Sequence, residues 1–176
     1  LSDNSLKENS LVLDIFTGSG CIGIGIMSRL PEAFVVFADS ELLAIKQTKI
    51  NVSINKINED QYKIIRSNLF SKLNKYKFDA IFANPPYIAK EDTQIGSEIK
   101  YEPKVALYAE ENGFYLIRKF LKEAYKYLNP DGIIYMEFGE DQVSMIDDLL
   151  NRIKKYTSWE FHKDQFGKFR WVEIHL

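Results

Sequence analysis

The sequence predicts an α/β fold: a mostly parallel sheet of seven strands that has helices on both faces and ends in an antiparallel hairpin. Three observations predict it. Short apolar runs alternate with segments of helical periodicity along the whole chain, as in parallel sheets. A glycine-rich loop follows the first apolar run, as at the strand-to-helix turn of a doubly wound sheet. The last two strand-like segments flank a polar turn, which indicates a hairpin.

The first half of the chain supplies three strands and two helices. Each strand is a short apolar run, and each helix has apolar side chains at roughly helical spacing. Pro31 closes the first helix, and Ser40 is a candidate cap for the second. The predicted strands are 11–15, 34–38 and 62–66, and the predicted helices are 21–30 and 41–54.

The second half supplies four strands and two helices. The Asn-Pro-Asp-Gly sequence at 129–132 predicts a turn that ends the first of these helices. Residues 84–112 show no strong periodicity, and we interpret them as a substrate loop because long irregular segments often carry function. The predicted strands are 78–83, 133–138, 158–162 and 168–174, and the predicted helices are 113–128 and 141–153.

Length and composition predict one domain spanning residues 1–176, since the chain is 45% hydrophobic and too short for two full cores. The formal net charge is −2, from 23 basic and 25 acidic residues, so no global field attracts nucleic acid or an anionic membrane. One cysteine and no long apolar stretch exclude a disulfide framework and a membrane span. We therefore expect a reducing, cytoplasmic setting.

The most informative motif is Asn84-Pro85-Pro86-Tyr87, directly after the strand predicted at 78–83. Each proline lacks a backbone donor and keeps the preceding residue extended, so the carbonyls of Asn84 and Pro85 can face a ligand. Tyr87 offers an aromatic face to a flat substrate. A strand-ending turn is the simpler interpretation, but ligands of open α/β sheets bind outside the carboxyl ends of the strands.

These residues suit methyl transfer to a planar nitrogen. The nitrogen of a carboxamide, or of an exocyclic amino group on a base, has a conjugated lone pair and is a poor nucleophile. Acceptors that hold its N–H bonds make it reactive, and Asn84 with the adjacent backbone can supply them. The motif therefore predicts an N-methylation site.

The loop after the first strand contains Gly18, Gly20 and Gly23, which match the G-x-G-x-x-G dinucleotide pattern, and Asp39 follows at ribose-binding distance. A dehydrogenase is therefore one candidate. Asp14 argues against it, because a carboxylate there would repel a pyrophosphate on the loop. S-adenosylmethionine has cationic groups and no phosphate, so Asp14 and Asp39 both favour it.

The end of the third predicted strand carries Ser67-Asn68-Leu69. The Asn68 amide can hydrogen-bond an adenine edge, and Leu69 can cover the ring. A plain capped turn explains the same residues almost equally well.

The sequence resembles the class I S-adenosylmethionine-dependent methyltransferases, whose fold is Rossmann-like, and within them the HemK/PrmC group of protein-glutamine N5-methyltransferases. The resemblance covers almost the whole chain. It includes 14–20, Asp39-Ser40 with Ala44 and Asn51, Asn84 to Ile88, Glu102-Pro103, 130–132, Glu137 and Asp164. It implies methylation of a glutamine in a peptide-chain release factor, a protein partner.

The resemblance also assigns roles. Asn84, Pro85 and Tyr87 would be catalytic, and with Pro86 they would bind the glutamine carboxamide. Cofactor contacts would come from Phe16, Thr17, Gly18, Ser19, Gly20, Asp39 and Asn84, in addition to Asp14, Asn68 and Leu69, which the residues themselves suggest. Phe16 replaces a glycine common in the family, and Asn68-Leu69 replaces an acidic and an aromatic residue. The family's helical N-terminal domain, which grips the release factor, has no counterpart in residues 1–176.

Two other functions remain open. The first is an adenine-N6 methyltransferase acting on tRNA, rRNA or DNA. The amino group of adenine is also a planar nitrogen with a conjugated lone pair, and Tyr87 would stack on the flipped base. Only this alternative requires a nucleic-acid partner, and the charge balance disfavours it; Lys72, Lys75 and Lys77 are a small basic cluster more typical of a solvated surface. The second is a non-catalytic module that binds the cofactor. No metal site is predicted.

Overall fold

The computed structural model describes residues 6–86 and 113–176. Elements are numbered here within those ranges. The strands are β1 (Leu11–Ile15), β2 (Phe34–Asp39), β3 (Tyr62–Arg66), β4 (Phe78–Ala83), β5 (Leu128–Glu137), β6 (Ser158–Lys163) and β7 (Phe169–His175). The helices are α1 (Cys21–Arg29), α2 (Leu42–Ile54), α3 (Phe114–Ala124) and α4 (Val143–Ile153).

All seven strands form one sheet in the order β3-β2-β1-β4-β5-β7-β6. The first five strands in this order pair in parallel, whereas β7 is antiparallel to both β5 and β6. The predicted fold class is confirmed. The crossover between β3 and β4 in chain order places β1 and β4 side by side in the interior of the sheet, so the loops after β1, β2 and β4 meet at one edge.

The two faces of the sheet bury separate apolar clusters. One packs α3 and α4 against the sheet and includes Phe78, Phe120 and Ile134, all fully buried. The other packs the α1 side and includes Phe37 and Val35. Because the central strands are covered on both faces, their sequences are continuous apolar runs rather than alternating ones.

The start of β5 corrects the prediction for residues 129–132. We expected a turn there, but β5 already begins at Leu128, and a 3-10 turn at Tyr125–Tyr127 separates it from α3. Phe78 pairs with Leu128, and Ala80 pairs with Ile133, so β5 contains a bulge opposite β4. Asp131 takes a positive φ of 63° within it. The turn-forming residues therefore bend the strand instead of preceding it.

Two further details differ from the predictions. Ser40 does not cap α2: its hydroxyl donates to the carboxylate of Glu41, the N-cap residue, and the Glu41 side chain makes no capping hydrogen bond to the first turn of the helix. Helix α4 begins at Val143, after a 3-10 turn at Glu140–Gln142. Among the described residues, no helix is both long and apolar enough to cross a membrane.

Candidate active site

The loop from β1 to α1 takes left-handed backbone conformations. The φ angles are 60° at Phe16, 54° at Gly18 and 80° at Gly20. Phe16 therefore occupies a position that favours glycine, and its ring packs edge-on against Phe120 at 6.0 Å between centroids. Packing of the ring in the apolar cluster offsets the backbone strain, which explains how phenylalanine replaces the family's glycine here.

Helix α2 fixes the backbone of this loop. The Thr48 hydroxyl donates to the Gly18 carbonyl at 3.0 Å, and the Asn51 amide donates to the Ser19 carbonyl at 2.8 Å. Asn51 belonged to the family resemblance, but Thr48 was missed. The sequence gives no signal for it, because only the folded structure shows that the Thr48 side chain is fully buried. The two contacts preorganise the loop for a ligand.

Asp14 is buried beneath the loop, with 1% of its surface exposed. Its Oδ2 accepts hydrogen bonds from the Thr17 hydroxyl at 2.7 Å and the Gly23 amide at 2.9 Å. Its Oδ1 is buried and has no hydrogen-bond partner among residues 6–86 and 113–176. Burial raises the pKa of Asp14 to about 7, against the hydrogen bonds from Thr17 and Gly23, and the charge of Asp39 adds to the rise. A ligand cation would stabilise the ionised form.

Asp39, at the end of β2, is half-buried and shapes the next part of the site. Its Oδ2 accepts from the Gly18 amide at 3.0 Å, and its Oδ1 accepts from the Glu41 amide at 2.9 Å. Each carboxylate oxygen keeps a second lone pair for ribose hydroxyls. Asp39 therefore joins the glycine loop to the start of α2 and remains able to bind a ligand.

Gly23 has a packing role. A Cβ atom built on it would lie 2.2 Å from Cε1 of Phe37, so only glycine lets α1 approach the sheet this closely. Gly23 also donates its amide to Asp14. The third glycine of the pattern therefore fixes both the helix and the buried carboxylate.

The turn after β3 lies beside Asp39, because the Ser67 amide donates to the Asp39 carbonyl at 2.8 Å. Asn68 is exposed, and Leu69 has a positive φ of 47° and packs against the larger apolar cluster. The Ser67 hydroxyl donates to the Leu69 carbonyl at 2.7 Å. The turn is thus internally stabilised, as the plain interpretation expected, while Asn68 remains accessible to a ligand.

The acceptor motif begins where β4 ends. Ala83 pairs with Ile15, so Asn84 and Phe16 are the first residues beyond two neighbouring strands, whose axes lie about 4.8 Å apart. Asn84 and Pro86 are exposed, and Pro85 is buried. Tyr87 and most of the predicted substrate loop lie outside the described residues. The structure thus brings Asn84 to the edge that carries Asp14 and Asp39.

A cavity of about 240 Å³ adjoins this edge. Aromatic rings from three strands form its wall: Phe82 stacks on Tyr135 at 4.8 Å, and Tyr135 lies 6.1 Å from Trp171. The lining is Ile22, Phe82, Ala83, Tyr135, Met136, Glu137 and Trp171. The sequence did not reveal this cavity, because strand pairing alone brings the three rings together.

Comparison with known proteins identifies the family of this chain. The family described as "Methyltransferase small domain" matches residues 2–113, which is more than half of the chain. The chain belongs to this family. It is a methyltransferase domain, and its cofactor is S-adenosylmethionine. The residues present suit that cofactor, because the unpartnered Asp14 Oδ1 offers an acceptor to a cationic group.

Curated relatives make the resemblance more specific. The chain is 34% identical over 176 residues to the release factor glutamine methyltransferase of Streptococcus pneumoniae, covering 99% of the chain and 61% of that protein. It is 34% identical over 145 residues to the ribosomal protein uL3 glutamine methyltransferase of Francisella tularensis, covering 82% and 46%. A bifunctional methyltransferase of Rickettsia typhi is 42% identical over 137 residues, covering 77% and 26%. The predicted HemK/PrmC resemblance is confirmed, although the chain spans less than two thirds of these relatives.

Solved structures agree on the fold. A methyltransferase from Pyrococcus furiosus superposes with a TM-score of 0.70 at 19% identity, covering 95% of the chain and 74% of that protein. The ribosomal protein L11 methylase of Lactobacillus delbrueckii gives 0.65 at 18% identity, covering 95% and 68%. At such low identity these similarities establish the class I methyltransferase fold and nothing about the acceptor.

Proposed function

We propose that this domain methylates the side-chain amide nitrogen of a glutamine in a protein of the translation apparatus, most specifically a peptide-chain release factor. The observation that carries the proposal is the position of Asn84. Its strand, β4, pairs with β1, so the acceptor motif and the cofactor loop start side by side at one edge. The names of the relatives that cover most of this chain support glutamine as the acceptor.

The chemistry needs little beyond orientation. S-adenosylmethionine supplies an electrophilic methyl group. The carboxamide nitrogen attacks that carbon, and the carbon–sulfur bond breaks with its electron pair going to sulfur. The methylated nitrogen then becomes acidic, so a carbonyl or a water molecule can take its proton and no strong base is required. Proximity and alignment supply most of the rate enhancement.

Asn84 and Pro85 hold the acceptor in this proposal. The exposed Asn84 side chain makes no hydrogen bond with the described parts of the protein, so its amide oxygen is available to an acceptor N–H. The buried Pro85 has no N–H of its own, and its carbonyl can accept the second. Tyr87, which lies outside the described residues, would pack on the planar amide, as the motif predicts.

The aromatic cavity would accommodate the apolar stem or neighbouring residues of the acceptor segment. It begins at Phe82 and Ala83, immediately before Asn84 along β4. In its wall, Phe82 and Tyr135 are stacked nearly parallel, and Trp171 is tilted by 48° against Tyr135, so the three rings offer a curved apolar surface to an extended peptide. We also propose that residues 1–176 form one catalytic domain and that the enzyme is cytoplasmic, where its acceptor resides.

Labelled methyl transfer tests the proposal. Purified release factor, ribosomal protein uL3 and bulk tRNA are each incubated with the enzyme and radiolabelled S-adenosylmethionine. We expect label in the release factor, and loss of at least a hundredfold in rate in Asn84→Ala with unchanged cofactor affinity. Asn9→Ala, an exposed asparagine before β1, is the matched control. Label only in tRNA would replace glutamine by adenine as the acceptor.

A further inference from the structure

Positive charge is concentrated on one part of a protein whose formal net charge is −2. Three segments, 71–77, 115–127 and 152–157, carry ten Lys and Arg residues but a single acidic residue, Glu123. The cations are Lys72, Lys75, Lys77, Arg118, Lys119, Lys122, Lys126, Arg152, Lys154 and Lys155. We call the exposed lysines of these segments the basic surface.

The fold joins the three segments. The Lys77 amine donates to the Lys126 carbonyl at 2.6 Å, which connects the start of β4 to the end of α3. The Tyr127 hydroxyl donates to Asn74 at 3.1 Å in the same region. The amines of Lys126 and Lys155 lie 5.8 and 5.9 Å from the centre of the Tyr125 ring. Residues far apart in sequence thus form one continuous patch.

Helix α3 extends the patch along its surface. Lys119, Lys122 and Lys126 recur at intervals of three and four residues, so they lie on one side of the helix and its 3-10 extension. The distance from the first to the last along the axis is about 10 Å. The basic surface is therefore an elongated track of cations, suited to an extended polyanion.

Carboxylates do not neutralise this track. Across residues 6–86 and 113–176, Arg152 pairs with Asp148 at 3.8 Å, but no ion pair involves Lys75, Lys122, Lys126 or Lys155. Glu123 lies near enough to raise the pKa of Tyr127, after the larger effect of burial, and is the acidic group within the patch. Unpaired exposed lysines release bound counterions when a polyanion binds, which favours association at low salt.

We propose that the basic surface binds the phosphate backbone of RNA. Tyrosines alternate with the cations: the Lys75 amine lies 5.1 Å from the Tyr76 ring centre, and the Lys119 amine lies 4.9 Å from that of Tyr115. Aromatic rings among cations are typical of surfaces that follow single-stranded nucleic acid. RNA rather than DNA rests on the proposed function, whose acceptor belongs to the translation apparatus.

The basic surface is distinct from the active site. Lys77 precedes β4 and Lys126 follows α3, so this part of the patch lies at the amino end of β4, opposite Asn84. RNA could therefore be held while the acceptor pocket is filled. The sequence suggested only a solvated cluster at Lys72, Lys75 and Lys77, since the folding of the chain is what brings Lys126 and Lys155 beside it.

Fluorescence anisotropy with a labelled single-stranded RNA, at a series of salt concentrations, tests this inference. The test variant replaces Lys75, Lys126 and Lys155 with Gln. The control variant replaces Lys46, Lys49 and Lys163, which are exposed lysines elsewhere, with Gln. We expect at least tenfold weaker binding only in the test variant, and a logarithmic salt dependence shallower by about 2, since each lost phosphate contact contributes about 0.7.

Three results would overturn the inference: no binding by the unaltered protein at 50 mM salt, equal weakening in both variants, or equal competition by polyglutamate of matched charge. Single-stranded DNA of the same sequence should bind about equally, because phosphate contacts and stacking do not read the 2′-hydroxyl; much weaker binding of DNA would contradict the contacts proposed here. Circular dichroism of all variants establishes that they are folded. The binding assay contains neither cofactor nor acceptor, so its failure is distinguishable from failure of methyl transfer.

Discussion

Replacing Asp14 with Asn isolates the energetic cost of a buried carboxylate at the cofactor loop. Burial raises the Asp14 pKa from its ordinary 3.8 to about 7 in the folded protein. Because the folded-state pKa is the higher one, protonation stabilises the fold at low pH, and this stabilisation is lost as the pH rises from about 4 through 7. Asp14→Asn has no ionisable group at this position, so its stability does not fall with pH for this reason.

The shift corresponds to about 4 kcal/mol over the full pH range, at about 1.4 kcal/mol for each pKa unit. Between pH 6 and pH 8, linkage gives a loss of about 1.4 kcal/mol in the free energy of unfolding of the unaltered protein. Every other ionisable group is common to both proteins. The difference between the two proteins therefore reports Asp14 alone.

Urea denaturation at pH 6 and pH 8 measures this difference. We expect the unaltered protein to lose about 1.4 kcal/mol more than Asp14→Asn between the two pH values. Saturating S-adenosylmethionine should reduce the loss, because its cationic groups favour ionised Asp14, and the variant should bind it more weakly. Asp60→Asn, an exposed aspartate, is the control. An identical pH dependence in Asp14→Asn and the unaltered protein would refute the reasoning.

Substitutions at Gly23, Phe16 and Asp39 test the loop and its surroundings by thermal or urea denaturation and cofactor titration. Gly23→Ala should lower the free energy of unfolding by about 1–3 kcal/mol, because the added Cβ would meet Phe37. Gly25→Ala is the control: it has open space around it, so its stability should be unchanged or higher by up to about 1 kcal/mol. Equal effects of the two substitutions would contradict the packing argument. Phe16→Gly should be about 1 kcal/mol more stable than Phe16→Ala, because the backbone there has a positive φ, and the reverse order would exclude strain. Asp39→Asn should weaken cofactor binding at least tenfold by calorimetry, since an amide accepts fewer hydrogen bonds than a carboxylate; unchanged affinity would remove Asp39 from the site.

Much of the fold follows from local sequence patterns. The bounds of β1, β3 and β4 match the predicted ones, because each is a short apolar run between polar residues. The beginning of β5 could not be predicted, since Pro130 and Gly132 are typical of turns and only pairing with β4 turns them into a bulge. At these residues, pairing across the sheet overrides the local preference for a turn.

The same distinction between local sequence and tertiary packing applies to the residues of the site. Asp14, Asp39 and Asn84 were predictable because each lies at or next to the last residue of a strand, and parallel strands of one sheet end at a common edge. The function assigned to Asp14 was incomplete: it also holds Thr17 and Gly23 through Oδ2, which only the folded loop reveals. The contact of Thr48 with Gly18 and the aromatic wall depend on tertiary packing, so sequence spacing gave no indication of either.

The measurement that tests the central claim most directly is mass spectrometry of the acceptor after methyl transfer. Release factor is incubated with S-adenosylmethionine and either the unaltered enzyme or Asn84→Ala, and its proteolytic peptides are fragmented to locate the added methyl group. We predict one added methyl group on the glutamine side-chain nitrogen with the unaltered enzyme and none with the variant. Methyl on another residue, or equal methylation by Asn84→Ala, would contradict the account.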